Sequence, residues 1–313
     1  MIRPERIGIA VLVIALAAGI ATATAQPLSR GAVRRLSRAG VAAVPSGGRA
    51  VDARLFQPSS CIAFRPIHGH RRRTVFIDAG HGGPDPGGVG TTLTGRPVAE
   101  APINLLVALD ALHLLRRHGF RVVLSRTGPA DAARPLPGDL ADGAFTAQGR
   151  LRDLAARNEC SDLAHADVVL GIDFDAAASP ALGGSLTLFD ALRPYAAENL
   201  RLADLVQRDV LASLARHGDT VPDDGVHTDG GYGSGLTAAD RAYGHLVLLG
   251  PGKSGYLATP TMAPAALIEP LFLTDPAEAT LATTTLAQHA IAGGLATAVY
   301  QYFTIGPASE ARA

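Results

Sequence analysis

From Thr74 onward, short runs of β-branched and apolar residues alternate with longer stretches whose apolar residues recur at helical spacing. Strands that alternate with helices cannot be joined by tight hairpins, so this pattern calls for an α/β domain with a largely parallel sheet. The expected strands are Thr74 to Asp78, Arg121 to Ser125, Asp167 to Asp173, Ser185 to Phe189, His245 to Leu249 and Ala265 to Glu269. Between them a first helix is marked by Leu105, Ala108, Leu109, Leu112 and Leu115, with Pro102 in its first turn and Gly119 as its stop. Further helices are predicted over Arg150 to His165, Ala196 to His217 and Pro276 to Phe303. The expected fold is a single α/β domain: a twisted, largely parallel central sheet of about six strands, flanked by helices on both faces.

The chain ahead of this domain reads differently. Arg3 and Arg6, the apolar run Ile7 to Ile20 and the small residues Ala23-Thr24-Ala25 form a cleavable export signal over 1–25. Thr22 and Thr24 argue against retention as a membrane anchor. Residues 26–73 are rich in Arg, Gly, Ser and Pro and read as an irregular lead-in or linker, 74–304 as the domain, and 305–313 as a frayed tail. An exported protein, periplasmic or extracellular, is expected, with no stable membrane anchor after cleavage and as a monomer. The formal net charge is zero, which gives no electrostatic reason to expect nucleic acid as partner. The two cysteines, Cys61 and Cys160, suit either one disulfide in an oxidising compartment or two buried thiols, because spacing says nothing of their distance.

In open α/β sheets, ligands bind beyond the carboxyl ends of the strands. The polar residues expected there are His81 on a glycine-rich loop after the first strand, Asp173 and Asp175 after the third, and Glu269 at the end of the last, with Glu100 at the start of the first helix. Each has an ordinary reading: a turn residue, a helix-dipole partner or a strand exit. Together, one imidazole and several carboxylates at successive element ends point to a shared site, and His81 with Glu100 supplies two of the three protein ligands of an open zinc site. Two long segments, Thr127 to Thr146 and Gly218 to Gly244, are candidate functional loops, and the first of them and Gly231 to Gly235 are candidate walls for a groove.

The string Thr74-Val75-Phe76-Ile77-Asp78-Ala79-Gly80-His81-Gly82-Gly83-Pro84-Asp85-Pro86-Gly87 resembles the opening motif of the zinc-dependent N-acetylmuramoyl-L-alanine amidases of bacterial cell walls. Glu100 with Asn104, Gly119 to Arg126, Arg152 to Asn158, Ala166 to Ile172 and Pro264 to Pro276 resemble later motifs in the same order. The resemblance implies peptidoglycan as substrate and hydrolysis of the amide between N-acetylmuramic acid and L-alanine. It further implies one zinc ion on the residues matching His81, Glu100 and a third-strand histidine, with Glu269 as general base and acid. At that third position the chain reads Gly171-Ile172-Asp173-Phe174-Asp175, so Asp173 stands where the family carries histidine. Two carboxylates and one imidazole bring a charge of −2, which neutralises a zinc ion and makes it a weaker Lewis acid, while an oxygen-richer set tolerates manganese. His227 and His245 are further imidazoles that no spacing ties to the site. The alternative function is a catalytically impaired amidase-fold protein that binds peptidoglycan or regulates cell-wall hydrolysis.

Overall fold

The computed structural model describes residues 46–231 and 242–305. The expected signal over 1–25, most of Gly231 to Gly235 and the tail after 305 lie outside the described residues.

Four strands carry near-continuous apolar sequence and are buried on both faces, as parallel strands covered by helices must be. They are β3 (Thr74–Ala79), β6 (Arg121–Arg126), β9 (Val168–Ile172) and β12 (Ala265–Glu269). The other strands of this sheet are β1 (Arg49–Ala50), β2 (Ser60–Phe64), β10 (Ser185–Phe189) and β11 (Asp223–Thr228). The eight run in the order β1-β2-β6-β3-β9-β12-β10-β11. The pairs β6/β3, β3/β9, β9/β12 and β10/β11 are parallel, whereas β1/β2, β2/β6 and β12/β10 are antiparallel. Two small hairpins, β4 (Val89–Thr91) with β5 (Pro97–Ala99) and β7 (Leu140–Ala141) with β8 (Ala144–Phe145), lie outside the sheet.

The sheet's side-chain alternation sorts two cores. Val75, Ile77, Val122, Leu124, Leu170 and Ile268 face helices α1 (Glu100–Arg117), α3 (Ala196–Arg216) and α5 (Thr285–Thr304). Phe76, Val123, Val169 and Leu267 face the opposite side with Ala156 and Cys160 of α2 (Ala147–Leu163). Helix α1 carries Glu100 in its first turn and Arg116 and Arg117 in its last, the arrangement its dipole favours, and the left-handed Gly119 ends it.

Four expectations need correction. The sheet has eight strands rather than about six. The segment read as an irregular lead-in contributes β1 and β2, and a Cys61–Cys160 disulfide ties β2 to α2, with the Cα atoms 5.6 Å apart. His245 to Leu249, apolar enough for a strand, forms turns instead: Leu246 N–H donates to Asp229, the Val247 carbonyl accepts from Asn158 and the Leu249 carbonyl from Arg193. Side chains thus satisfy the backbone that a ladder would otherwise pair. The helix expected over Pro276 to Phe303 is two, α4 (Pro276–Ala282) and α5, because the Thr284 hydroxyl accepts from Ala287 N–H and caps a new start.

Candidate metal centre

Strands β3, β9 and β12 are neighbours running the same way, so His81, Asp173 and Glu269 arrive at one edge of the sheet, and Glu100 meets them from the first turn of α1. His81 Nε2 lies 3.1 Å from Glu100 Oε1 and 3.8 Å from Asp173 Oδ1. One ligating atom from each of the three falls within 4.8 Å of the others. These residues line a cavity of about 220 Å³ together with Glu269, Arg150 and Phe145. Phe145 comes from the Thr127 to Thr146 segment, which thus supplies part of the wall.

The backbone is shaped to allow this approach. His81 itself adopts a left-handed conformation, φ 60°. A Cβ on Gly80 would lie 1.6 Å from Asp173 Oδ1, and one on Gly87 2.5 Å from Glu100 Oε2, so the two glycines leave the space the carboxylates occupy.

Each candidate ligand is held by a second group. His81 Nδ1 sits 2.9 Å from Asp85 Oδ2, which also accepts from Arg150 at 2.9 Å. Fixing Nδ1 in this way directs Nε2 to the site. Glu100 accepts from Gly88 N–H at 2.7 Å and Phe174 N–H at 3.0 Å. Asn104 Nδ2 lies 3.1 Å from both Glu100 Oε1 and Asp173 Oδ1. Beneath the loop, buried Arg126 donates to the carbonyls of Ala79, Gly80 and Ala101. Arg157 binds Asp78 and Asp153 and donates to the His81 carbonyl.

The charges suit a cation. Burial alone would depress His81, but Glu100 and Asp85 push it well above its ordinary value. Burial would raise Glu100, yet His81 and the two N–H groups hold it below the usual carboxylate range. Asp173 is driven well up by burial and by the Glu100 charge. A divalent cation among the three would relieve this repulsion, and an imidazole with two carboxylates is a donor set that zinc or manganese accepts. Glu269 is also driven well up, by burial and then by the charge of Asp175 beside it.

A family profile described as N-acetylmuramoyl-L-alanine amidase matches residues 75–301. The chain belongs to this family. It is 25% identical over 233 residues to the germination-specific N-acetylmuramoyl-L-alanine amidase of Bacillus subtilis (strain 168), covering 74% of this chain and 80% of that one. Among solved structures it resembles the CwlD amidase of Clostridioides difficile, determined in complex with the GerS lipoprotein. The TM-score is 0.56 at 22% identity, over 75% of this chain and all of that one. The catalytic domain of CwlV, from Bacillus (Paenibacillus) polymyxa var. colistinus, aligns with a TM-score of 0.51 at 20% identity, over 75% of this chain and 99% of that one. The single α/β domain is therefore the amidase fold, and peptidoglycan amide hydrolysis is its activity.

Sequence reasoning named His81, Glu100, Asp173 and Glu269, and the structure gathers all four around one cavity. It did not find Asp85, although its place four residues after His81 was a usable signal, nor Arg150, Arg157 and Asp153. His227 lies on β11 with Nε2 against the Asp224 carbonyl, whereas His245 lines the cavity.

Proposed function

We propose that this chain is an exported, zinc-dependent amidase that cleaves the bond between N-acetylmuramic acid and L-alanine in peptidoglycan. His81, Glu100 and Asp173 would hold one zinc ion, and Glu269 is its general base and acid. When bound, the ion supplies Lewis acidity toward the scissile carbonyl and acidifies water. Asp85 and Arg150 keep the His81 ring in one orientation, and Arg157 anchors the loop through the His81 carbonyl. Burial and Asp175 favour the protonated form of Glu269; once ionised, it takes a proton from water and returns it to the nitrogen of the departing L-alanine. Beside a bound cation the Glu269 carboxyl would come down toward the working range, because a positive charge favours the ionised form. Export fits the disulfide, which persists in oxidising compartments.

The observation that carries this reading is the meeting of His81, Glu100 and Asp173 within coordination range of one another, with Glu269 on the same cavity. Glu269→Gln should keep its zinc and lose about 10²- to 10⁴-fold in cleavage of purified peptidoglycan. Loss of zinc with activity intact would overturn the assignment of both roles. A second reading, an impaired amidase that binds peptidoglycan, draws on Asp173 standing where the family carries histidine. Under it Asp173→His would gain activity from an inert parent.

A further inference from the structure

Strands β10 and β11 are parallel and, after a shift between Ser185 and Leu186, pair in register up to Phe189 opposite Thr228. The residue after each is an aspartate, so Asp190 and Asp229 stand side by side at the carboxyl edge of the sheet, and Asp229 N–H donates to the Phe189 carbonyl at 2.8 Å. Both are buried, 0% and 1% exposed. His245 meets them from the segment misread as a strand. Its Nδ1 is 3.1 Å from Asp229 Oδ1 and 3.3 Å from Asp190 Oδ2.

One oxygen of each carboxylate is already fixed by backbone. Asp190 Oδ1 accepts from Leu192 and Arg193 N–H, and Asp229 Oδ2 from Leu246 N–H. The other two oxygens both face the same ring nitrogen. A single Nδ1–H donates well to one acceptor, and Asp190 Oδ2 is left buried with no hydrogen-bond partner, a costly state for an ionised oxygen. The buried guanidinium of Arg193 attracts the Asp190 charge but makes no hydrogen bond to Oδ2, and three of its donors go to the carbonyls of Leu249, Thr261 and Ala263. A metal ion would satisfy all three side chains at once, since one ligating atom from each of Asp190, Asp229 and His245 lies within 4.8 Å of the others. The backbone N–H groups on the far oxygens then act as the outer contacts that orient ligating carboxylates.

We infer that Asp190, Asp229 and His245 form a second divalent-cation site, separate from that of His81, Glu100 and Asp173. An imidazole with two carboxylates selects a first-row transition ion, zinc or manganese, over magnesium or calcium, which prefer oxygen ligands alone. His245 also lines the cavity that holds His81 and Glu269, so the ion would sit on the wall of the reaction cleft. This inference does not depend on the amidase reading of the first site.

Metal stoichiometry tests it. The purified chain, stripped by chelator and re-equilibrated with ZnCl₂ or MnCl₂, should carry two ions by mass spectrometry of the desalted protein. His81→Ala should carry one, the Asp190→Asn/Asp229→Asn double variant one, and the combination none. A single ion that survives His81→Ala but is lost in Asp190→Asn/Asp229→Asn would support the second site while removing the first. A single ion lost in His81→Ala, or two ions untouched by Asp190→Asn/Asp229→Asn, would overturn it. Should the aspartate variants fail to fold, cobalt(II) added to His81→Ala provides the readout. Visible ligand-field bands that vanish in His81→Ala/His245→Gln support the site, and their absence from His81→Ala contradicts it.

Discussion

Replacing Arg157 tests how the buried charges support the candidate metal centre. Arg157 is 1% exposed. Its guanidinium donates to Asp78 Oδ1 at 2.7 Å, to Asp153 Oδ2 at 2.8 and 3.1 Å, and to the carbonyls of Ala79 and His81 at 3.0 and 2.8 Å. In Arg157→Met the apolar stem is kept and every one of these bonds is lost. Asp153 retains the N–H groups of Ala132 and Ala133, but Asp78 is left buried with its charge unpaired. Breaking one side of a buried pair costs about 3 to 5 kcal/mol. For a chain whose urea dependence is about 2 to 3 kcal/mol per molar, the midpoint should fall by about 1 to 2.5 M. Metal affinity should weaken by about 10- to 100-fold as well, because the strained backbone of His81 loses its anchor. Adding Asp78→Asn and Asp153→Asn to Arg157→Met removes the unpaired charge and should restore at least half of the lost midpoint. A fall below about 0.3 M, or no recovery in the triple variant, would refute the claim that these charges are held by Arg157.

Three further outcomes follow from the same structure. The disulfide closes a separation of 99 residues, so reduction or Cys61→Ser/Cys160→Ser should cost about 4.7 kcal/mol, seen as a thermal midpoint lower by about 10 to 20 °C; an unchanged midpoint would contradict it. Gly80→Ala would put a methyl group onto Asp173 Oδ1 and should abolish stoichiometric binding at the first site; retention of that ion would show that Asp173 does not ligate. The pH dependence has a definite sign. His81 must be neutral to bind metal, and its raised pKa means that protons compete already near neutral pH, so affinity should climb with pH. In the metal-free protein the sign reverses: the stability that protonated His81 contributes is full below its unfolded value of about 6.5 and is lost as pH rises through the raised folded value. Asp85→Asn removes one carboxylate that raises His81, and the zinc-affinity profile should move to lower pH; a profile that stays put would exclude that role for Asp85.

The strands that carry the site were legible because they are buried on both faces. Apolar runs such as Val75 to Ile77 and Val168 to Leu170 have few other places to go in a chain of this pattern. The edges were not legible. β11 reads Asp-Asp-Gly-Val-His-Thr, with polar residues on an exposed edge, and its strand character comes only from pairing with β10. His245 to Leu249 failed in the opposite sense, since local apolarity cannot reveal that Asp229, Asn158 and Arg193 will bind its backbone. At the site, the ligands could be read from their positions at element ends and from the family's motif order. Their supports could not, because Arg157 meets Asp78 across 79 residues and Asp175 meets Glu269 only when β9 and β12 pair. Asp173 was visible as a departure from the family. That it still lies 3.8 Å from His81 Nε2, in space that Gly80 leaves open, required the fold.

The most direct test of the central claim is the chemistry of the ends produced from purified peptidoglycan by the zinc-loaded protein. The account predicts new amino-terminal L-alanine on released stem peptides, no new reducing sugar ends, and loss of both the first-site ion and product in His81→Ala. Reducing ends in place of amino termini, or no product from protein carrying a stoichiometric ion at His81, Glu100 and Asp173, would contradict it.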